Sequence, residues 1–357
     1  MPDSLPTAAE LRAAFDRHGP PTVGLEEELM LLDGETLDLA PRAREVVGAL
    51  GDDPRFKLEM PAAQLEIVTA PHATVRDAAA ELAAARRRLA EVVVGRYRVA
   101  GAGAHPFASG HGPLNPGARY EAIGAEYASV ANRQLVFGLH VHVAIGGAER
   151  ALAIYNALRS HLPDLAALAA NAPFYEGRDS GLASVRSRLS GLLPRQGVPP
   201  ALAGFEAYAD ALRWCGFDDP RQWWWELRLH PHYGTVEVRV PDTQATVADT
   251  AAVAEVVYTL VLGLAALHDA GEPMTVAESW RIDQNRWAAC RHGIAAVMTD
   301  PATGAREPVR ERLARLGAPP LDGAGRQRAV AAERGLRGLT DWLADEFTRV
   351  SAPDAVG

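Results

Sequence analysis

The chain has 357 residues, a net charge of −9, and 48% hydrophobic and 23% charged residues, which suits a globular protein with a sizeable core. No basic stretch is dense enough to read as a nucleic-acid footprint. The two cysteines, Cys215 and Cys290, make no disulfide framework, and the N-terminus has no basic-then-apolar signal pattern, so a cytoplasmic protein with neither nucleic-acid nor membrane partners is expected.

Residues Thr7 to Arg17 read as a short helix. The stretch Thr22 to Leu32 reads as a strand, turning at Asp33-Gly34, and a second strand covers Gln64 to Thr69. Val75 to Gly95 keeps helical apolar spacing, with Gly95 where a C-cap belongs. Arg98 to Ala104 reads as a short strand, and Gly110 to Gly117 is too rich in breakers for regular structure. A strand over Gly138 to Val143 precedes helical sequence at Glu149 to Ser160 and after Pro163. Asn171 to Leu189 is a polar loop, and Gly191 to Pro200 is rich in Gly and Pro. Trp223 to Leu229 and Thr235 to Val240 read as paired strands. Thr246 to Leu267 reads as a long apolar helix, with Thr246 and Asp249 resembling a capping box. Its apolar run, Val256 to Leu267, is too short to span a bilayer and is read as buried. Three further helices are expected at Val276 to Met298, Glu307 to Arg315 and Arg326 to Arg349. There is no internal repeat, and strands from all parts of the first 240 residues carry polar faces. One domain over 1–357 is therefore expected, with sheet-forming motifs at 22–240 and a helical part at 246–350.

Three strands share one design. Alternation puts Glu26 and Glu28 on one face with Val23, Leu25 and Leu29 behind. It pairs His140 with His142 against Leu139, Val141 and Val143. It pairs Glu237 with Arg239 against Val236, Val238 and Val240. Such strands form a wall suited to cations and an anionic substrate. Glu26, Glu28 and Glu66 are candidate ligands for a hard cation such as Mg²⁺. Glu66 lies among Leu65, Ile67 and Val68, where a carboxylate needs an arginine or a metal. The His140/His142 pair also fits a zinc-like metal. Glu226 and Arg228 repeat the Glu-x-Arg pattern, which suits phosphate bridged by metal ions. Ser184, Arg186 and Arg188 lie in or beside the polar loop. Asn285, Arg286, Arg291 and His292 lie on a late helix, with at most one of Arg286 and Arg291 expected to touch substrate.

Lys57 is the only lysine and lies between Phe56 and Leu58. Any ATP use is therefore not of the P-loop kind. Gly101 to His105 opens like a dinucleotide fingerprint, but Pro106 and Phe107 follow where the third glycine and helix belong.

Six segments occur in order: Gly24-Leu25-Glu26-Glu27-Glu28, Gln64-Leu65-Glu66, His105-Pro106-Phe107, Gly138-Leu139-His140-Val141-His142, Asn171-Ala172-Pro173-Phe174, and His230-Pro231-His232-Tyr233-Gly234-Thr235-Val236-Glu237-Val238-Arg239. Together they resemble the type 2 glutamate–cysteine ligase family, also called bacterial carboxylate–amine ligases, from Thr22 to about Gly293. The resemblance implies an α+β fold: a glutamine-synthetase-like curved, mainly antiparallel sheet with helices packed on its convex side. It implies ATP and Mg²⁺ or Mn²⁺ on the concave face, and amide formation through an acyl phosphate. It implies Glu26, Glu28, Glu66, His140 and Glu237 as the metal set, with Glu28 and Arg239 catalytic. Arg186, Arg188, His142, Arg228, Arg239 and Arg291 are the candidate contacts to ATP or substrate. Small amino acids are the expected substrates, and a homo-oligomer is compatible with all of this. Ala172 and Ser180 stand where many members have serine and threonine. A metal-dependent amidohydrolase using His140 and His142, and a non-catalytic nucleotide-binding relative, are the competing readings.

Overall fold

A computed structural model describes residues 5–17 and 19–349. The ends of the 1–357 span, and the last residue of the helical part expected at 246–350, lie outside the described residues.

Helix α1 (Ala8–Ala13) starts at Thr7, whose side chain and Glu10 form a reciprocal cap. Strand β1 (Thr22–Asp33) is followed by α2 (Ala43–Ala49), β2 (Phe56–Leu58), β3 (Gln64–Val68), α3 (Val75–Val93) and β4 (Tyr97–Ala100). Helix α4 (Ala118–Tyr127) and a 3₁₀ segment lead to β5 (Leu139–Ala144). Next come α5 (Ala148–Leu158), α6 (Leu162–Leu168), a small hairpin of β6 (Phe174–Tyr175) and β7 (Arg178–Asp179), α7 (Arg186–Ser190) and α8 (Phe205–Cys215). Strands β8 (Leu227–His230) and β9 (Thr235–Val238) precede α9 (Val247–Asp269) and α10 (Ser279–His292). The hairpin β10 (Val297–Thr299) and β11 (Arg306–Pro308) is followed by α11 (Val309–Arg315) and α12 (Gly323–Thr348), which is kinked at Gly335.

Seven strands form one sheet in the order β2-β3-β1-β5-β9-β8, with β4 also paired to β1, and every pairing is antiparallel. Register then decides which side chains meet. Glu28 lies opposite Glu66, Glu26 opposite His140, and His142 opposite Glu237, which in turn lies opposite Arg228. The other face carries Leu25, Leu29, Leu65, Ile67, Leu139, Val141, Val143, Val236 and Val238, all buried. Helices α3, α5 and α9 pack against these strands. α9 has the length and apolarity to cross a membrane, yet its Val253, Val257, Leu260, Val261 and Leu264 are buried in the main core.

Glu27 breaks the apolar pattern of that second face. It is fully buried and is bound by Arg86 of α3 at 2.8 and 2.5 Å and by the Thr250 hydroxyl of α9 at 2.7 Å. Arg86 also donates to the carbonyls of Gln244 and Ala245, so one ion pair ties β1 to the helices behind it.

Several expected boundaries move. The strand expected from Trp223 begins only at Leu227, because Trp223 closes a 3₁₀ turn started by Pro220. The helix expected over Val276 to Met298 ends at His292, where Gly293 takes φ +53° and β10 follows. The strand expected to run to Ala104 stops at Ala100. The polar loop after Asn171 contains the β6/β7 hairpin and the start of α7.

Candidate active site

The polar face of the sheet gathers Glu26, Glu28, Glu66, His140, His142 and Glu237 into one cluster. Glu26 is at its centre. Its Oε2 is 3.2 Å from His140 Nδ1 and its Oε1 is 3.2 Å from His142 Nε2. His140 Nε2 lies 3.7 Å from Glu28 Oε1, and Glu237 Oε1 lies 3.8 Å from His142 Nε2. Two triads, Glu26–Glu66–His140 and Glu26–His142–Glu237, each bring their ligand atoms within 4.8 Å of one another. Glu66 and Glu237 thus belong to the same cluster, one in each triad, joined through Glu26.

Backbone features hold these groups. Glu28 accepts from Gly138 N at 2.5 Å, and a Cβ at Gly138 would run into the Arg186 guanidinium. The Thr243 hydroxyl donates to the carbonyls of Glu28 and Gly138 at 2.7 and 2.8 Å. Thr235 Oγ1 is 2.9 Å from His142 Nδ1 and fixes that ring.

The electrostatics divide the carboxylates. Burial disfavours the charge of Glu26, but His142 and His140 outweigh it and hold its pKa well below the ordinary value. Glu237 behaves likewise, burial being outweighed by Arg228 and Arg239. Glu66 goes the other way: burial, then repulsion from Glu26, Glu59 and Glu28, pushes it well above. Burial raises Glu28 to about 7 against the opposing charge of Arg186. Burial similarly raises Glu59, which Arg119 only partly offsets. His140 is pushed down to about 4 by burial and then by Arg239.

Crowded carboxylates with too few cations, beside buried imidazole nitrogens that lack a hydrogen-bond partner, make a donor set that could hold a divalent cation. Within the cluster these nitrogens are Nε2 of His140 and Nε2 of His142, the latter beside Glu26 but not aligned for a hydrogen bond. The donors present therefore fit Mg²⁺ or Mn²⁺. Glu59 is the site residue that the sequence reading passes over. It precedes Met60-Pro61 outside any strand, so no alternation marks it, and only its Glu-x-x-x-x-x-x-Glu spacing to Glu66 links the two.

The arginines separate into three groups. Arg239 donates to Glu237 at 2.5 Å and lies 3.4 Å from His140. Arg186 donates to the carbonyls of Val240 and Arg239, both at 3.2 Å, and lines the cavity with Glu28. Arg228 is occupied: it grips Glu237 at 2.5 and 2.9 Å and the Arg221 carbonyl at 2.9 Å. Glu226 pairs with Arg286 rather than joining this lattice. Arg188 and Arg291 are exposed and apart from the cluster, Arg188 over the Trp287 ring and Arg291 on the Gly181 carbonyl. Other motif residues build the frame. His105 Nδ1 accepts from the Ala108 and Phe107 amides and its Nε2 reaches the Leu37 carbonyl at 2.9 Å. Asn171 N and Ser184 Oγ both donate to Asp242, at 2.7 and 3.0 Å.

Two cavities flank the cluster. One of 410 Å³ is lined by Gly24, Glu26, His142, Tyr233 and Thr235. The other, of 130 Å³, is lined by Glu28, Glu59, Arg119, Tyr120, Arg186 and Arg239.

Comparison with known proteins shows the family. The model of Glutamate-cysteine ligase family 2 (GCS2) matches residues 22–344. A protein of Rubrobacter xylanophilus named as glutamate–cysteine ligase 2-3 is 37% identical, across 94% of this chain and 99% of its own. One of Thermobifida fusca named as glutamate–cysteine ligase 2 is 34% identical, across 94% and 92%. Among solved structures, the glutamate–cysteine ligase of Francisella tularensis in complex with AMP superposes with a TM-score of 0.66 at 12% identity, covering 95% of this chain and 91% of that one. The antiparallel sheet backed by helices is thus the glutamine-synthetase-like fold that the motifs imply. The chain is an ATP-dependent ligase and belongs to glutamate–cysteine ligase family 2.

Proposed function

We propose that this ligase joins an amino-acid carboxylate to an amine through an acyl phosphate, releasing ADP and phosphate, with L-glutamate as the donor and cysteine or another amine as the acceptor. The observation that carries this reading is a cation-competent cluster with an unequal cavity on each side. The 410 Å³ cavity falls in the range of roughly 300–1,000 Å³ typical of ligand pockets and is assigned to the nucleotide. The 130 Å³ cavity suits a much smaller ligand, the donor acid. The γ-phosphate and the donor carboxylate then meet between them, over Glu26. The names of the relatives, and the AMP held by the Francisella ligase, support the same substrates.

In this scheme a donor carboxylate oxygen forms a bond to the γ-phosphorus while the bond to the ADP oxygen breaks. The amine then bonds to the acyl carbon and gives up a proton, and phosphate leaves with the electron pair of the broken C–O bond and takes that proton up. Glu26, Glu28, Glu59, Glu66, His140 and Glu237 are the residues that would hold Mg²⁺ or Mn²⁺. The bound cation supplies charge neutralisation to the phosphate oxygens. Arg239, kept in place by Glu237, meets the charge that develops on the transferring phosphoryl group, where preorganised donors contribute most. Arg186, fixed by two backbone carbonyls, faces the donor carboxylate. Glu237 stays ionised and orients both Arg228 and Arg239.

The test is ATP turnover across pairs of amino acids. ADP and phosphate should appear only when a carboxylate donor and an amine are both present, with glutamate among the active donors. AMP and pyrophosphate would contradict the acyl-phosphate route. Amide hydrolysis without ATP would favour the amidohydrolase reading, and nucleotide binding without any turnover a sensor.

A further inference from the structure

Helix α4 is unlike the other long helices: none of its ten residues is buried. Hydrophobic burial therefore does not hold it, although burial is what fixes most helices in proteins. It still roofs the small cavity, through Arg119, Tyr120 and Ile123. Its attachments are few. The Tyr120 hydroxyl donates to the Leu58 carbonyl at 2.8 Å. Tyr127 accepts from Arg195 at 2.8 Å and meets the Trp224 ring edge-on at 5.6 Å.

Both ends of α4 have backbone conformations suited to hinges. Gly117 has φ +138° and ψ 153°, which an L side chain rarely adopts. Ala128 has φ +49° and ψ −137°, a conformation that costs a non-glycine residue on the order of 1–3 kcal/mol. A weakly anchored helix between two such positions, over a substrate cavity, has the construction of a lid.

Charge says what the lid carries. Three arginines line the cavity. Arg239 is engaged by Glu237 and Arg186 by two carbonyls. Arg119 makes no hydrogen bond or ion pair with any described residue; its guanidinium rests 5.8 Å from the centroid of the neighbouring Tyr120 ring. Its charge acts on Glu59 across the cavity lining without a hydrogen bond, and a guanidinium with no hydrogen-bonded partner beside an amino-acid cavity is matched by a carboxylate, which it can bind bidentately.

We propose that α4 is a specificity lid and that Arg119 reads the α-carboxylate of the donor amino acid, the one not activated, as the lid closes. This rests on the functional reading above and deepens it. It also gives a physical reason for selection of α-amino acids: a donor lacking the α-carboxylate leaves Arg119 unpaired and the lid without its latch.

The experiment compares wild type, Arg119→Ala and Arg119→Lys, with glutamate or 4-aminobutyrate, which is glutamate without its α-carboxylate, as the donor. The KM for MgATP is measured alongside. Arg119→Ala should raise the KM for glutamate about 10- to 100-fold, the size of one charge-assisted contact. It should leave the KM for MgATP within about 3-fold, the two contacts being independent. The preference for glutamate over 4-aminobutyrate should collapse, and Arg119→Lys should restore part of it. Hydrogen exchange across 118–127 should slow when glutamate and a non-hydrolysable ATP analogue are added to wild type, and should not slow in Arg119→Ala. An unchanged glutamate KM and an intact preference would overturn the proposal, as would equal losses for glutamate and MgATP. If no α-amino acid supports turnover in wild type, the donor assignment fails and this inference with it. If one does and Arg119→Ala is silent, only this inference fails.

Discussion

Glu26→Gln should lower kcat by about three orders of magnitude or more while leaving the protein folded. Removing a single preorganised donor at a transition state costs about 10²–10³ in kcat, and Glu26 belongs to both candidate cation triads at once. The side-chain shape is kept, so packing is not the issue. What goes is the charge that lies 3.2 Å from each of two imidazoles. In its absence His142, whose pKa is raised against burial by Glu26 and Glu237, loses its principal counter-charge. The check is kcat, together with the Mg²⁺ concentration needed for half-maximal rate, in wild type and mutant, with circular dichroism to confirm the fold. A mutant turning over within about 10-fold of wild type at saturating Mg²⁺ would remove Glu26 from the centre of the site.

Glu27→Ala should destabilise the fold by about 3–5 kcal/mol, the usual result of taking one partner from a buried ion pair. Glu27 is fully buried and Arg86 is 2% exposed. Arg86 would be left among the carbonyls of Gln244 and Ala245 with its charge uncompensated. The double mutant Glu27→Leu/Arg86→Met should recover much of that loss, because two apolar groups remove both desolvation costs together. Urea unfolding of the singles and the double decides it. A single mutant losing less than about 1 kcal/mol, or a double mutant losing the sum of the singles, would mean that the pair does not brace β1. Because Glu27 lies between Glu26 and Glu28, the brace also fixes the strand that presents both.

Much of the cluster was legible because period-2 alternation is a strong signal. Glu26, Glu28, His140, His142 and Glu237 share a face with valines and leucines behind them, and antiparallel register brings that face together. Glu27 marks the limit of the pattern. Alternation alone puts it against the core, and what makes that tolerable is Arg86, 59 residues away, which no local pattern announces. Glu59 stood outside any strand. The run Trp223-Trp224-Trp225 read as strand because aromatic residues favour strands, but Pro220 and a 3₁₀ turn come first. Helix α4 left no apolar periodicity because it buries nothing. The resemblance to the ligase family ordered the motifs correctly, but geometry sorted the arginines: Arg186 and Arg239 line the small cavity, Arg228 is held by Glu237, and Arg188 and Arg291 face solvent.

The most direct test of the central claim, that the cluster joins a donor carboxylate to the γ-phosphate, follows oxygen. Donor glutamate labelled with ¹⁸O in its γ-carboxylate is incubated with ATP, Mg²⁺ and the acceptor amine, and the released phosphate is analysed by mass spectrometry. The acyl-phosphate route gives one ¹⁸O per phosphate, formed one-for-one with ADP. Unlabelled phosphate, or label found in AMP, would contradict it.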